Sequence, residues 1–299
     1  MQLSGKSSDD DRANLLVTSL HDKAQYYAFN ALRAVGLVGD RAAFSAAIEN
    51  LKSRDPSQRA NALETLESAG EREIVRPLLR LWEDSDSAPA APDGLLSALQ
   101  DSDSWLRACA SLVAGGVTDS AVRARLTQLA QSDEDDLVCE AAASALKGSL
   151  AMDTLATLSL MERILFLRRV ALFSELAPAD LKQVGAIATE RTYLDGAVIA
   201  HQDDLGDEMY IIVSGEGRVL AGADTELARR KTGDYVGEMA IISHEPRMAS
   251  LVAAGEVRLL CIDQKHFEGL LRERPETSLA VMRVLCARLR QADKARLPQ

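Results

Sequence analysis

This chain of 299 residues predicts a multidomain protein: an all-α stack of helical hairpins followed by a β-roll or jelly-roll barrel with flanking helices. Three observations carry that expectation. From Arg12 to about Gly148 apolar residues return every three or four positions, Ala and Leu dominate, and β-branched runs are absent. From Glu190 to Ile262 the period shortens to runs of four to eight residues punctuated by Gly and Asp. The length also exceeds one typical domain, which favours two units with separate cores, at 11–150 and 160–299.

In the first half, breaks fall at Gly36–Asp40, Arg54–Pro56, Ala69–Gly70, Asp84–Gly94, Gly115–Asp119 and Ser132–Asp136. They predict helices of about ten to fourteen residues joined as hairpins. Asp55 can cap a helix, Pro56 suits its first position where no amide donor is needed, and Gly70 suits a left-handed exit. One phrase recurs: a leucine, an acidic turn, then an Arg-x-x-Ala-like step into a helix. It reads Leu51…Asp55…Arg59…Ala62…Leu66, then Leu99…Asp103…Arg107…Ala110…Val113, and more loosely Leu129…Asp135…Cys139…Ala142…Leu146, with an earlier copy expected around Leu20…Ala28…Leu32. The Ser/Ala/Pro-rich insert Asp84–Asp93 lengthens one interval. Self-similarity at such periods signals a stacked solenoid, with a plain helical bundle as the other reading.

The segment Ser149–Ser159 links the halves, and helices are expected at Met161–Val170 and Asp180–Thr189. Strands follow at Thr192–Leu194, Val198–Ala200, Met209–Val213, Gly217–Ala221, Met248–Ala253 and Val257–Ile262, a spacing that suits a small barrel. Gln264–Leu271 and Pro275–Lys294 return to helix. The last carries Leu279, Met282, Leu285, Cys286 and Leu289 on one stripe, expected to pack on the barrel.

The strand series is interrupted by Gly233-Asp-Tyr-Val-Gly-Glu-Met-Ala-Ile-Ile-Ser-His-Glu-Pro-Arg-Met-Ala-Ser-Leu-Val252. A short helix begun by glycine turns free backbone amides toward an anion. An arginine returned by the proline turn adds a charged fork, and a buried glutamate beside it can pair with that arginine or accept from a hydroxyl. Anion, hydroxyl and ring are read together, a combination that a nucleoside cyclic monophosphate offers.

These residues resemble the phosphate-binding cassette of the cyclic nucleotide-binding domain family, that of catabolite activator protein, protein kinase A regulatory subunits and cyclic-nucleotide-gated channels. Gly237, Glu238, Met239, Ala240, Pro246 and Arg247 match the cassette. Leu172-Phe173, Tyr193-x-x-Gly196-x-x-Ile199, Gly206-Asp207, Tyr210-Ile211-Ile212 and Gly215 match its frame, so the resemblance covers about Met161–Arg296. It implies that Glu238 holds a ribose 2′-hydroxyl and Arg247 an exocyclic phosphate oxygen, that the Met239 and Ala240 amides take the other oxygen, and that Val236 and Leu251 face base or sugar. Met248 departs from the family, where threonine at this place is associated with a cGMP contact. A thioether donates no hydrogen bond, so cAMP is favoured, with Ser250 as a partial substitute. The competing reading is a ligand-free scaffold on a degenerate barrel of this kind.

The aspartate-turn-arginine phrase resembles HEAT repeats, which makes the first half a HEAT-like solenoid. The stretch Asp55-Pro-Ser-Gln-Arg-Ala-Asn-Ala-Leu-Glu is similar to the linker that follows the membrane domain in some nucleotide-transporter-like proteins. That resemblance implies a protein partner or a membrane transporter domain met through the repeats.

A net charge of −11, negative in both halves, argues against nucleic acid as a partner. The chain stops too soon after its terminal helix for a helix-turn-helix. No apolar run is long enough to span a bilayer and the N-terminus has no secretory apolar stretch, so the location expected is cytoplasmic, at the cytosolic face of a membrane if the transporter resemblance holds. The four cysteines and four histidines are scattered, which predicts neither a disulfide framework nor a metal site and leaves Cys109, Cys139, Cys261 and Cys286 as core hydrophobes. No nucleophile elbow, phosphate-cradling Walker loop or metal triad is present, so no catalysis is expected.

Overall fold

The computed structural model describes residues 4–53, 55–82, 92–147, 157–222 and 225–296. The chain divides into two compact units, Met1–Ala114 with Thr118–Arg125, and Gly115–Val117 with Leu126–Gln299. Most of the insert expected at Asp84–Asp93 and of the linker at Ser149–Ser159 lies outside the described residues. Among the described residues no helix is long and apolar enough to cross a membrane.

The first unit is helical: α1 (Ser4–Val38), α2 (Arg41–Leu51), α3 (Pro56–Ala69), α4 (Arg72–Leu79), α5 (Pro92–Ala98), α6 (Ser104–Ala114) and the start of α7 (Ser120–Ser132). The expected series of short helices fails at its beginning, because α1 runs unbroken for 35 residues. Nothing from Ser4 to Val38 is a proline, and Gly36 lies in the last turn, where its bareness lets α2 approach: a Cβ there would sit 2.7 Å from Phe44 Cβ. Leu32, Phe44, Ile48, Leu51, Leu66 and Val75 form the core on which α1 to α4 close.

The recurring phrase is a helix-entry clamp. Asp55, Asp103 and Asp135 accept from backbone amides two residues on, Ser57, Trp105 and Leu137, at 2.8 to 2.9 Å. In each case a side chain reaches back six residues to a carbonyl: Arg59 Nη1 to Ser53 O at 2.9 Å, Arg107 Nη1 to Asp101 O at 2.9 Å, and Cys139 Sγ to Asp133 O at 3.4 Å. The cap satisfies the helix N-terminus while the reach-back satisfies a carbonyl of the turn between the helices. Gly70 is not left-handed as expected. Its φ of −121° is extended, and glycine is needed for space, since a Cβ would meet Val75 Cγ2 at 2.6 Å.

The second unit continues α7 into α8 (Asp136–Lys147), α9 (Leu160–Arg169) and α10 (Pro178–Ile187), then β1 (Thr189–Tyr193), β2 (Val198–Ala200), β3 (Glu208–Ala221), β4 (Thr225–Lys231), β5 (Tyr235–Val236), α11 (Glu238–Ser243), β6 (Ser250–Asp263), α12 (Gln264–Glu273) and α13 (Pro275–Arg296). The sheet is antiparallel in the order β1-β6-β3-β4, with β2 added on β6 and β5 on β3. Two strands of 14 residues replace the four shorter ones expected, since β3 and β6 pair through register shifts around Ser214. Gly215 makes this possible at φ +83°, where a Cβ would meet Glu256 O at 2.2 Å. The strand β4 was not expected, because Thr-Glu-Leu-Ala-Arg-Arg-Lys has neither alternation nor β-branched runs.

Ser159 caps α9 in a capping box with Glu162. Arg258 on β6 and Glu190 on β1 form an ion pair with both side chains nearly buried, and Glu190 Oε2 also accepts from Leu158 N at 2.7 Å. The stripe of α13 does not pack as expected. Leu279, Met282 and Leu289 are half to two-thirds exposed, Cys286 is exposed, and Thr277, Ala280 and Val281 are buried instead. The helix meets α12. Cys109 and Cys261 are buried core residues, and burial pushes the Cys261 thiol up to about 12.

Candidate functional site

Tyr235 and Val236 of β5 pair with Ile211 and Tyr210 of β3. The chain then turns at Gly237, whose φ of +92° belongs to the left-handed region. That turn starts α11 directly off the strand. The first intrahelical bond comes from Ile241 N to Gly237 O at 3.3 Å, so the Met239 and Ala240 amides lie ahead of any acceptor in the helix. His244, at φ +60°, ends the helix, and Pro246 bridges to Leu205.

Arg247 follows, and its main chain is fixed on both sides: N donates to Asp204 O and O accepts from Asp203 N, each at 2.9 Å. Its guanidinium is buried and held from β3. Nη2 donates to Glu208 O at 2.8 Å, lies 3.5 Å from Tyr210 Oη, and the head sits 5.2 Å from the centre of the Tyr210 ring. Asp207 Oδ1 is 3.9 Å away on a side chain that is almost wholly exposed. Burial raises the Tyr210 hydroxyl to about 12, against the lowering effect of Arg247, so the phenol stays protonated. Glu208 in turn receives both Arg191 Nη atoms, at 2.7 and 2.5 Å.

Two glycines make room for that head. A Cβ on Gly237 would lie 2.7 Å from Arg247 Nη1, and one on Gly206 would lie 2.4 Å from Ala240 Cβ and 3.4 Å from Arg247 Cζ. The guanidinium and the amide end of α11 are thereby brought together.

They open into a cleft of about 250 Å³. All eight residues singled out in the sequence line it: Val236, Gly237, Glu238, Met239, Ala240, Arg247, Met248 and Leu251. Glu238 is buried in the first helical position, while Met239 and Met248 stand exposed at the mouth. Ser250, expected to supplement Met248, is engaged elsewhere, with Oγ accepting from Gln202 N at 2.9 Å. Sequence reasoning missed Ala200, Val219, Leu227 and Arg230 in the lining, and it placed Tyr210 in the frame without its contact behind the arginine. Leu227 and Arg230 come from β4, whose charged composition hid it, whereas the pairing of β3 with β5 was needed to place Tyr210. Among the described residues no cluster of His, Cys, Asp and Glu suits a metal.

Residues 190–274 match the family described as the cyclic nucleotide-binding domain, and this part of the chain is such a domain. Similar proteins include a cyclic AMP receptor protein of Thermus thermophilus, 32% identical over 41% of this chain and 58% of the relative. A cAMP-dependent protein kinase regulatory subunit of Hypocrea atroviridis is 31% identical over 36% of this chain and 23% of its own length. A cyclic nucleotide-gated potassium channel of Mesorhizobium japonicum is 38% identical over 36% of this chain and 29% of its own. The chain thus spans about a quarter to three-fifths of these relatives. Among solved structures, the Thermus thermophilus catabolite activator protein aligns at 32% identity and TM-score 0.38 over 42% of this chain and 61% of that one. The regulatory domain of Toxoplasma gondii protein kinase A with cAMP aligns at 26% and 0.39 over 44% and 50%.

Proposed function

We propose that this protein is a regulatory binding module, not an enzyme, that takes a nucleoside cyclic monophosphate into the Arg247 cleft, with cAMP ahead of cGMP. The observation that carries this is the convergence, at Gly237, of a buried guanidinium and the Met239 and Ala240 amides in the first turn of α11. A monoanion held there is met by a charged fork on a buried arginine and by backbone dipoles. Glu238 lies one residue from those amides and takes the ribose 2′-hydroxyl as an acceptor. Arg247 and the amides of Met239 and Ala240 hold the exocyclic oxygens, with Val236 and Leu251 against sugar or base. Met248 offers no hydroxyl to a guanine, which supports the adenine preference. The helical half is the surface through which this state reaches a protein partner, on the HEAT-like reading that the repeated entry clamp supports. A membrane transporter domain is the partner type suggested by the Asp55–Glu64 stretch, and the chain then works at the cytosolic face.

Titration calorimetry with cAMP tests the reading. Saturable one-site binding that is lost in Arg247→Ala supports it, and no heat from well-folded protein means that the barrel serves as a ligand-free scaffold.

A further inference from the structure

The helix α1 carries a second apolar face that its own unit does not use. Its buried residues fall on two faces: Leu15, Leu16 and Ser19, whose Oγ accepts from Trp105 Nε1 of α6 at 2.9 Å, and Ala28 and Leu32, the latter in a core with Phe44 and Ile48 of α2. Between these two faces Val17, Leu20, Tyr27 and Val38 stand 51, 38, 60 and 93% exposed. Ala13, Ala24, Ala31 and Ala34 fill the remaining steps, so that from 13 to 38 an uncharged residue recurs at strictly alternating intervals of four and three.

That is a period of 3.5, not 3.6. A free helix drifts about 20° per heptad against such a repeat, so the seam stays on one line only when wound against another helix. It extends for about 38 Å along the axis at 1.5 Å per residue.

We infer that the seam is the interface of a homodimer in which α1 of one copy packs antiparallel on α1 of a second copy. The order of residue sizes argues for this occupant. When a two-fold axis crosses the helix midway between Ala24 and Tyr27, each large residue meets an alanine. Val17 faces Ala34 of the second copy, Leu20 faces Ala31, Tyr27 faces Ala24 and Val38 faces Ala13. Every layer has one large and one small member, which packs closely without a void. A parallel pair stacks Tyr27 on Tyr27 and leaves alanines facing alanines in four layers. The contact is isologous and closed, as two-fold dimers are. A second copy supplies this spacing and size order by construction.

Sedimentation velocity on the full chain tests the proposal. The expected mass is twice that of one chain, falling to one chain in Leu20→Glu with an unchanged circular dichroism spectrum. Ala31→Leu alone overpacks two symmetry-related layers and weakens association, whereas adding Leu20→Ala exchanges large for small and restores the dimer; this pair reads the interface even if the glutamate variant misfolds. In a Cys286→Ser background, Leu20→Cys chains mixed with Ala31→Cys chains form a cross-chain disulfide, and Leu20→Cys alone does not. A monomer at every concentration, a dimer indifferent to these substitutions, or self-linking of Leu20→Cys overturns the proposal.

Discussion

Arg247 is held in place before any ligand enters, because Glu208 O and Tyr210 of β3 fix its head and two main-chain bonds to Asp203 and Asp204 fix its backbone. Preorganisation of this kind means that the side chain loses little freedom on binding, and its removal leaves a phosphate charge without its buried partner. The cost expected for Arg247→Ala is about 2 to 5 kcal/mol, or roughly thirty-fold to several thousand-fold in affinity, read by calorimetry with cAMP. Near-native affinity in that variant would remove the arginine from the site. Gly206→Ala attacks the same spot through packing, since its Cβ meets Ala240 Cβ at 2.4 Å and α11 must shift; at least a tenfold loss (~1.4 kcal/mol) is expected with the fold retained, measured alongside circular dichroism. For selectivity, Met248→Thr restores a hydroxyl at an exposed place in the cleft, and competition titrations are expected to move the cAMP-to-cGMP ratio toward cGMP. A clear cGMP preference in the native chain would refute that reasoning. Glu238 and Arg247 were legible in the sequence because chemistry and spacing coincide there. The glycine at 206 has an ordinary φ, so only the approach of Ala240 and Arg247 shows why its bareness matters.

At the scale of elements, β1, β6 and the entry to α9 are tied by one buried carboxylate. Glu190 serves Arg258 and the Leu158 amide at once. Removing one member of a buried ion pair leaves the other desolvated, whereas replacing both with apolar groups of similar size is often neutral. Glu190→Ala is therefore expected to lower stability by about 3 to 5 kcal/mol, and the double change Glu190→Leu with Arg258→Met by much less. Calorimetric unfolding of both variants checks this, and equal losses would show that the pair does not act as a unit. Element boundaries were legible wherever a cap or a proline sets them, as at Asp55-Pro56. They were not legible where long-range pairing overrides local signals. Gly215 looks like a strand end in sequence but is a bulge that keeps β3 continuous, and β4 is recruited to the sheet by β3 despite four charged residues among its seven.

At the scale of the whole molecule, the change from a helical to a strand period marked out both kinds of architecture, but the role of α13 was not readable, because an apolar stripe says that something is covered without saying by what. With Leu279, Met282 and Leu289 half exposed or more, α13 presents apolar surface that its contacts with α12 leave in water, and such surface is stabilised by any position that covers it. The cleft presents its own exposed apolar rim at Met239, Met248 and Leu227. A purine lying on that rim adds a third apolar surface, so ligand and stripe bury more area together than apart. A ligand shifts such an equilibrium only by its differential affinity for the two helix positions, typically about 1 to 3 kcal/mol, which is 5- to 150-fold in population. Hydrogen exchange with and without cAMP is expected to show higher protection from Gly237 to Arg247 and a change from Leu279 to Leu289. Replacing Leu279 and Met282 with serine is expected to abolish the second change and to weaken binding by the same coupling, since linkage is reciprocal. Protection confined to the cassette, with affinity unaltered by the serines, would mean that the domain holds its ligand without engaging the terminal helix.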